Sequence, residues 1–187
     1  MGRKGEKNMK KVLKLMLALV MTCAIAGCSS SSKNDADVTI TIGTSPDYAP
    51  YESLNKKGEI VGFDVDMAKE LVKIMNKNGG NYSYKFKPLS FDAISSSITS
   101  DQVDLGISGF TYSEDRVVEW SDPYLGTQQV AVVPNGSSIT SNDQLVGKKL
   151  AAQTGATGEQ AAKEVENADV VSMKNVQDIF NGLASNQ

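Results

Sequence analysis

Two stretches of this sequence concentrate side chains suited to holding a small polar molecule. They are residues 45–51 and residues 108–116, and the second ends at Arg116. An arginine guanidinium is a planar, permanently charged fork of N–H donors that matches a carboxylate. The pattern therefore indicates non-covalent binding of a small anion or zwitterion. The alternative for Arg116 is an ordinary surface ion pair with a neighbouring acid, Glu114, Asp115 or Glu119.

Composition excludes several kinds of covalent chemistry. The 187 residues include no histidine and two cysteines, Cys23 and Cys28, both near the N-terminus. Ser-His and Cys-His nucleophile pairs are therefore excluded, and so are zinc sites built on His or Cys. We expect no catalytic residue, no metal and no cofactor, and a domain stabilised by its core rather than by a disulfide.

The elements that must position the two stretches alternate between strand and helix. Strands are predicted at residues 38–42, 82–87 and 103–107, with helices at 64–77 and 90–98. Asp64 is a plausible N-cap of the first helix, whose apolar residues at helical spacing are Met67, Leu71, Ile74 and Met75. This order predicts an α/β fold with a parallel sheet and helices on both faces. Both stretches follow strands, at the rim where such sheets bind ligands.

A second series begins further along the chain. Strands are predicted at residues 128–133, 149–153 and 169–173, and helices at 157–166 and 176–183. The strand at 128–133 is interpreted as the entry to a second domain. A further strand should follow the last helix, so we expect this second sheet to be incomplete.

The N-terminus has the features of a targeting segment. Six basic residues flank or precede an apolar run at residues 13–25, which is short for a membrane span. Ile25-Ala26-Gly27-Cys28 is similar to a bacterial lipobox, with Cys28 as the lipidated residue. We expect a signal peptide at 1–27, starting at Met1 or Met9, and a flexible linker at 28–37. The alternative is a soluble secreted protein with an incidental cysteine.

Charge argues against one class of partner. Removing residues 1–27 takes away six of the 19 basic and one of the 22 acidic residues, which leaves a net charge of −8. No basic stripe remains, so nucleic acid is not an expected partner.

Six short motifs in order resemble the bacterial extracellular solute-binding proteins of the polar amino-acid class (family 3). The motifs are Gly43-Thr44 with Tyr48-Ala49-Pro50-Tyr51; Gly62-Phe63-Asp64-Val65-Asp66; Phe91-Asp92-Ala93-Ile94; Val103-Asp104-Leu105 with Ile107 to Thr111 and Glu114-Asp115-Arg116; Trp120 to Tyr124; and Leu145 to Lys148 with Gly155 to Gly158. The resemblance covers about residues 38–187.

This resemblance implies a two-lobed periplasmic-binding-protein fold of type II. Lobe 1 would be residues 38–127, the interlobe crossover strand 128–134, and lobe 2 residues 135–187, which would be partial. The implied protein is a monomer, anchored outside the cytoplasmic membrane through a palmitate-bearing Cys28. It would capture a polar L-amino acid and deliver it to the permease of an ABC importer.

The resemblance also implies roles for individual residues. Arg116 and the Thr111 N–H would bind the ligand's α-carboxylate, while the Gly109 carbonyl and the Thr111 hydroxyl would accept from its α-ammonium. Ser108 belongs to the same motif. An ordinary turn at the end of a strand is the alternative for residues 108–111.

Aromatic and second-lobe residues complete the implied site. Tyr48 and Phe91 would flank the ligand's side chain, with core packing as the alternative for Phe91 and also for Phe110. Thr157 would add donors to the carboxylate, with helix N-capping as its alternative, and Gln153 could reach the ligand's side chain. Ser45 stands where several relatives have Asp, which weakens the case for a lysine-like ligand. The family's ammonium-binding acid is expected beyond Gln187.

Two other functions fit the same fold. A cyclohexadienyl-dehydratase-like enzyme would need an acid/base carboxyl aimed into the cleft, for which Asp47 and Glu52 are the loop candidates. A sensory ligand-binding domain would need a transmembrane and signalling segment after the domain.

Overall fold

The computed structural model describes residues 36–187. The predicted signal peptide at 1–27, the lipidation site Cys28 and the linker up to residue 35 lie outside the described residues. None of the helices between residues 36 and 187 combines the length and hydropathy that a bilayer crossing requires.

Eight strands and four α-helices follow one another in the described part of the chain. In order they are β1 (Val38–Thr44), β2 (Asp47–Tyr48), β3 (Glu52–Leu54), β4 (Ile60–Val61), α1 (Phe63–Lys77), β5 (Tyr82–Pro88), α2 (Phe91–Thr99), β6 (Leu105–Gly106), β7 (Lys149–Gln153), α3 (Thr157–Lys163), β8 (Asp169–Met173) and α4 (Val176–Ala184). A 3₁₀ helix, Asn142–Leu145, precedes β7.

The first sheet is parallel, with strand order β5-β1-β6. This confirms the predicted β-α-β-α-β series. The third strand is shorter than predicted, because only Leu105 and Gly106 of the stretch 103–107 pair with β1. The N–H groups on either side of this pair still bond to β1, from Asp104 to Thr41 O and from Ile107 to Gly43 O.

Helices cover both faces of this sheet, as predicted. Ile42 of β1 packs with Ala68 of α1 and with Ile107 in a buried core cluster. Its neighbour Gly43 points to the opposite face, where a Cβ would lie 3.3 Å from the side chain of Ile94 in α2. Gly106, which pairs with Gly43, has even less room, since its Cβ would lie 2.7 Å from Ile94. The paired glycines let α2 approach the sheet closely.

The inner face of α1 differs from the prediction. Its buried residues are Asp64, Ala68 and Val72, at a spacing of four, whereas Leu71 and Ile74 are about half exposed. The N-cap is Gly62, and Asp64 is wrong as a cap because its carboxylate is buried within the first turn. Met67 alone of the predicted apolar face packs against the core cluster. The small Ala68 brings the helix near the sheet, and a three-stranded sheet covers only a narrow strip of it.

A small antiparallel sheet, β2-β3-β4, is formed by the part of the chain between β1 and α1. A turn at residues 55–58 connects β3 to β4, where Gly58 N–H donates to Asn55 O. The strands themselves were not predicted, since two or three residues are too short for a recognisable alternation.

The second parallel sheet consists of β7 and β8, and both strands have the predicted bounds. The connecting helix α3 ends at Lys163 rather than near residue 166, and α4 runs one residue past its predicted end. The predicted strand at 128–133 is wrong: those residues pair with no strand of the described chain and are mostly exposed. An apolar run rich in β-branched residues favours a strand only where a neighbouring strand accepts its hydrogen bonds.

Candidate functional site

The two polar stretches meet at the carboxyl-end rim of the first sheet. Strands β1 and β6 are neighbours, so the segments that follow them start side by side. The Ser45 N–H donates to Ser108 Oγ at 3.0 Å and joins the two segments directly. Both residues are buried. The rim is therefore held by hydrogen bonds as well as by the sheet.

Gly109 occupies a position that only glycine fits easily. Its φ is +53°, in the left-handed region, and an added Cβ would lie 3.3 Å from Cδ1 of Tyr48. Its N–H donates to Asp64 Oδ2 at 2.9 Å. Glycine at position 109 therefore lets the main chain approach Tyr48 closely in a left-handed conformation.

Ser108 is connected to a buried carboxyl group beneath the rim. Its hydroxyl donates to Glu52 Oε1 at 2.7 Å, and Glu52 is only 1% exposed. Burial, followed by the nearby charge of Asp64, raises the pKa of Glu52 to about 8, although the Ser108 hydroxyl acts in the opposite direction. Glu52 therefore favours the neutral acid at pH 7.

The guanidinium group of Arg116 packs against three aromatic rings. Its guanidinium carbon is 5.2 Å from the ring centroid of Phe110, 5.6 Å from that of Phe91 and 6.0 Å from that of Trp120. The rings of Phe91 and Phe110 are themselves in contact, with centroids 4.5 Å apart. Cation–π attraction and this packing fix the guanidinium plane. Burial lowers the pKa of Arg116, which nonetheless stays charged.

Arg116 donates hydrogen bonds to a loop of the first parallel sheet and to a loop of the second. Nη1 donates to Thr111 O at 2.6 Å, and Nη2 donates to Gly155 O at 2.9 Å. Gly155 belongs to the loop between β7 and α3. Among the ion pairs of residues 36–187 none includes Arg116. The surface-pair alternative therefore does not describe its geometry, and three of the five guanidinium N–H donors stay available.

Asp47 makes the other connection between the two halves. Its Oδ2 accepts from the Val176 N–H, the first residue of α4, at 2.8 Å, and from Gln153 Nε2 at 3.3 Å. Gln177 Nε2 adds a bond to Asp47 O at 3.2 Å. The carboxylate of Asp47 thus caps a helix that begins 129 residues later in the chain.

The loop at Gly155 is held by hydrogen bonds to residues of the same half of the described chain. Glu159 Oε2 accepts the Gly155 N–H at 2.8 Å, and its other oxygen accepts from Lys163 Nζ and from the Ser172 hydroxyl. The Lys163 bond first, then those of Ser172 and Gly155, lower the pKa of Glu159 to about 2. Glu159 therefore keeps the loop's main chain in place as a carboxylate.

The structure brings most of the predicted site residues together. Tyr48 lies beside Gly109, which follows Ser108 at the rim, and Arg116 contacts both Phe91 and Thr111. Phe91 is only 8% exposed. It therefore packs in the core and also lies beneath the Arg116 guanidinium.

The two second-lobe residues lie at different distances from this group. Gln153 reaches it through Asp47, whereas Thr157 Oγ1 contacts Gln129 Oε1 at 3.5 Å. Thr157 is the first residue of α3 and its N-cap is Ala156, so the N-cap alternative is wrong.

Sequence reasoning missed five contributors, which are Trp120, Asp47 as a cap, Glu52 and Asp64 as buried supports, and Glu159. Trp120 was already in a quoted motif, so its nearness to Arg116 could have been suggested. The four acids gave no local pattern.

A depression elsewhere on the surface is unrelated to these residues. It has a volume of about 440 Å³ and lies between α1 and β5, lined by Lys69, Val72, Lys73, Asn76, Tyr82, Ser83 and Tyr84. None of these is a predicted site residue.

Comparison with known proteins agrees with this geometry. The sequence profile of the bacterial extracellular solute-binding proteins, family 3, matches residues 40–186. The chain is 30% identical over 181 residues to a probable histidine-binding protein of Neisseria gonorrhoeae, a match covering 90% of this chain and 65% of that protein. It is 36% identical over 162 residues to the arginine-binding extracellular protein ArtP of Bacillus subtilis, covering 84% and 61%.

Solved structures show the same architecture. An ancestral arginine-binding protein bound to arginine superimposes with a TM-score of 0.74 and 35% identity, covering 79% of this chain and 66% of that one. The predicted type II periplasmic-binding-protein fold is confirmed. The chain spans about two thirds of the length of the curated relatives it matches.

Proposed function

The chain belongs to the bacterial extracellular solute-binding proteins of family 3, and on that premise we propose that it captures a polar L-amino acid for import. The ligand would lie between the rim at residues 108–116 and the loop at Gly155. Closure of the two halves on the zwitterion would then present it to the permease of an ABC importer. No bond is made or broken, since the differential affinity for the closed state does the work.

The observation that carries this proposal is the position of Arg116. A guanidinium fixed on Phe91 and Phe110 donates to main-chain carbonyls of both halves and has no acidic side chain as an ion-pair partner in residues 36–187. Such a cation favours a small carboxylate that arrives from solution, because charge-assisted bidentate bonds are the strong ones.

The class of ligand follows from chemistry and from the relatives. Two of them carry the names histidine-binding and arginine-binding, so a polar amino acid with a nitrogen-containing side chain is the first candidate. Tyr48, 42% exposed and stacked on Tyr51 at 5.3 Å, supplies an aromatic wall that suits a flat or cationic side chain.

The enzymatic alternative has less support from the geometry. Of its two candidate carboxyl groups, that of Asp47 accepts the Val176 N–H and that of Glu52 is buried against Ser108. Neither is free to exchange a proton with a substrate in the cleft. A turnover assay on a prephenate-like cyclic carboxylate separates this alternative from simple binding.

Export and anchoring form the second part of the proposal. Residues 1–27 would direct export, a palmitate-containing lipid on Cys28 would hold the protein at the outer face of the membrane, and residues 38–127 and 135–187 would be the two lobes. Metabolic labelling with palmitate tests the anchor. Label should be lost in Cys28→Ser and kept in Cys23→Ser, whereas label in both variants or in neither would reject it.

Calorimetry of the full-length protein against the common L-amino acids tests the binding function. We expect heat of binding with one or a few polar amino acids, with L-arginine and L-histidine the first to examine. A folded protein that gives no heat with any of them contradicts the proposal.

A further inference from the structure

Two buried carboxyl groups support adjacent residues of the rim. Glu52 of β3 and Asp64 of α1 are 1% and 0% exposed, and they accept hydrogen bonds from Ser108 and Gly109 respectively. Within residues 36–187, neither carboxyl forms an ion pair with a lysine or arginine. Two buried like charges without a cation are strongly unfavourable, so the pair needs another means of neutralisation.

The hydrogen bonds of the four carboxyl oxygens indicate where a neutralising proton would lie. Glu52 Oε1 accepts the Ser108 hydroxyl, Asp64 Oδ2 accepts the Gly109 N–H, and Asp64 Oδ1 lies 3.4 Å from the Tyr124 hydroxyl. Glu52 Oε2 is buried and lacks a partner among the described residues. A charged carboxylate with a buried oxygen that accepts no hydrogen bond is unfavourable, so Oε2 is the oxygen suited to carry a proton.

The groups that surround the pair do not supply a positive charge. Besides Ser108, the side chains that interact electrostatically with Glu52 or Asp64 are Asp47 and Tyr48 of β2 and Tyr124. All are acidic or neutral. Burial and the charge of Asp64 raise the pKa of Tyr124 well above its ordinary value, so this tyrosine stays neutral throughout.

We propose that Glu52 and Asp64 share one proton at neutral pH, and that this proton holds Ser108 and Gly109 in the conformation that forms the rim of the site. Glu52 orients the Ser108 hydroxyl, and Asp64 fixes the Gly109 N–H. Loss of the proton leaves two adjacent carboxylates, whose repulsion separates β3 from α1 and moves both rim residues. Glu52 and Asp64 are positioning residues, and only the effect on affinity rests on the proposed function.

A titration without ligand tests the proton itself. In the full chain with ¹³C-labelled glutamate carboxyl groups, nuclear magnetic resonance should show one group titrating near pH 8 rather than near 4.5. That signal should be absent in Glu52→Gln, and the Gly109 amide should shift with the same midpoint. A Glu52 midpoint near 4.5, or a Gly109 amide that ignores the titration, overturns the proposal.

Two conservative variants test separately what Glu52 and Asp64 contribute to the titration. In Asp64→Asn the amide can donate to Glu52 while its oxygen still accepts from Gly109, so the Glu52 midpoint should fall towards its ordinary value. In Glu52→Gln the amide replaces the shared proton, and the Gly109 amide should become independent of pH. If Asp64→Asn fails to fold, Glu52→Gln still decides.

Affinity for L-arginine tests the positioning role. If only the protonated pair forms a competent rim, a pKa of about 8 predicts that affinity falls about tenfold between about pH 7 and about pH 9. The ratio of wild type to Glu52→Gln isolates this effect, because the ligand's own ammonium titrates equally with both. A titration near pH 8 with unchanged affinity rejects the positioning role. A titration near pH 8 with no amino acid bound at any pH rejects the proposed function and leaves the shared proton standing.

Discussion

Nη2 of Arg116 lies 2.9 Å from the carbonyl oxygen of Gly155, 39 residues further along the chain. The arginine follows a strand of the first sheet, and the glycine follows a strand of the second. One hydrogen bond therefore spans the two polar rims, with the cation on one side and main-chain dipoles on the other. The carboxylate of a ligand would use the remaining N–H donors of the same guanidinium.

A second bond between the halves should contribute to stability through Asp47. Replacing Asp47 with Ala removes the acceptor of the Val176 N–H and should cost about 1 kcal/mol of unfolding free energy, as expected for a lost hydrogen bond. Asp47→Asn is the matched control, since the asparagine side-chain oxygen can still accept this N–H. Hydrogen exchange at Val176 should speed up in the alanine variant only. Equal losses in both variants, with unchanged exchange, would show that the cap has no energetic role.

Adding a side chain at Gly109 should be unfavourable for two reasons that can be measured separately. Gly109→Ala incurs the left-handed backbone penalty of about 1–2 kcal/mol and also presses on Tyr48. Gly136→Ala, at φ +79° with nothing within 4 Å of its Cβ, incurs the backbone penalty alone. Denaturation should show comparable losses of stability. Affinity for L-arginine should fall in Gly109→Ala only, and an equal fall in both variants would contradict the close packing of this rim.

The stability of the protein in acid should depend on Glu159. Its folded pKa of about 2 lies below the ordinary 4.5, so the carboxylate stabilises the fold above pH 4.5 and that stabilisation is lost as the pH falls towards 2. Glu159→Gln should remove this part of the pH dependence and lower the unfolding midpoint at neutral pH. The exposed Glu164→Gln is the control. Denaturant midpoints between pH 2 and 7 measure the effect, and parallel curves for wild type and Glu159→Gln would refute it.

Local pattern was enough to predict the elements whose contacts are local or regular. β7 and β8 have the predicted bounds because an apolar strand, a glycine loop and a polar helix follow each other without a break. Pattern failed at residues 128–133, where an apolar run rich in valine is present but no described strand pairs with it. It also failed on the inner face of α1, because packing depth at Ala68 rather than apolarity decides which residues are buried.

In the candidate site, sequence pattern likewise indicated some residues, whereas only tertiary structure reveals the others. Arg116 and the residues of the 108–111 turn were singled out from the sequence, since their chemistry fits a zwitterion and their motifs have a fixed order. Glu52 and Asp64 were not singled out as supports of the rim, because their bonds to Ser108 and Gly109 depend on how β3 and α1 pack beneath it. The cap between Asp47 and Val176 spans 129 residues and is likewise a product of tertiary structure.

The most direct test of the account is a calorimetric comparison of L-arginine with its methyl ester, which lacks the α-carboxylate charge. Wild type should bind L-arginine about 10- to 100-fold more tightly than the ester, given about 1.5–3 kcal/mol for a charged hydrogen bond. Arg116→Ala should lose this preference, and Arg116→Lys should keep only part of it because the paired donors are gone. An Arg116→Ala protein that still prefers L-arginine to the ester by the wild-type factor would contradict the claim that Arg116 binds the ligand's carboxylate.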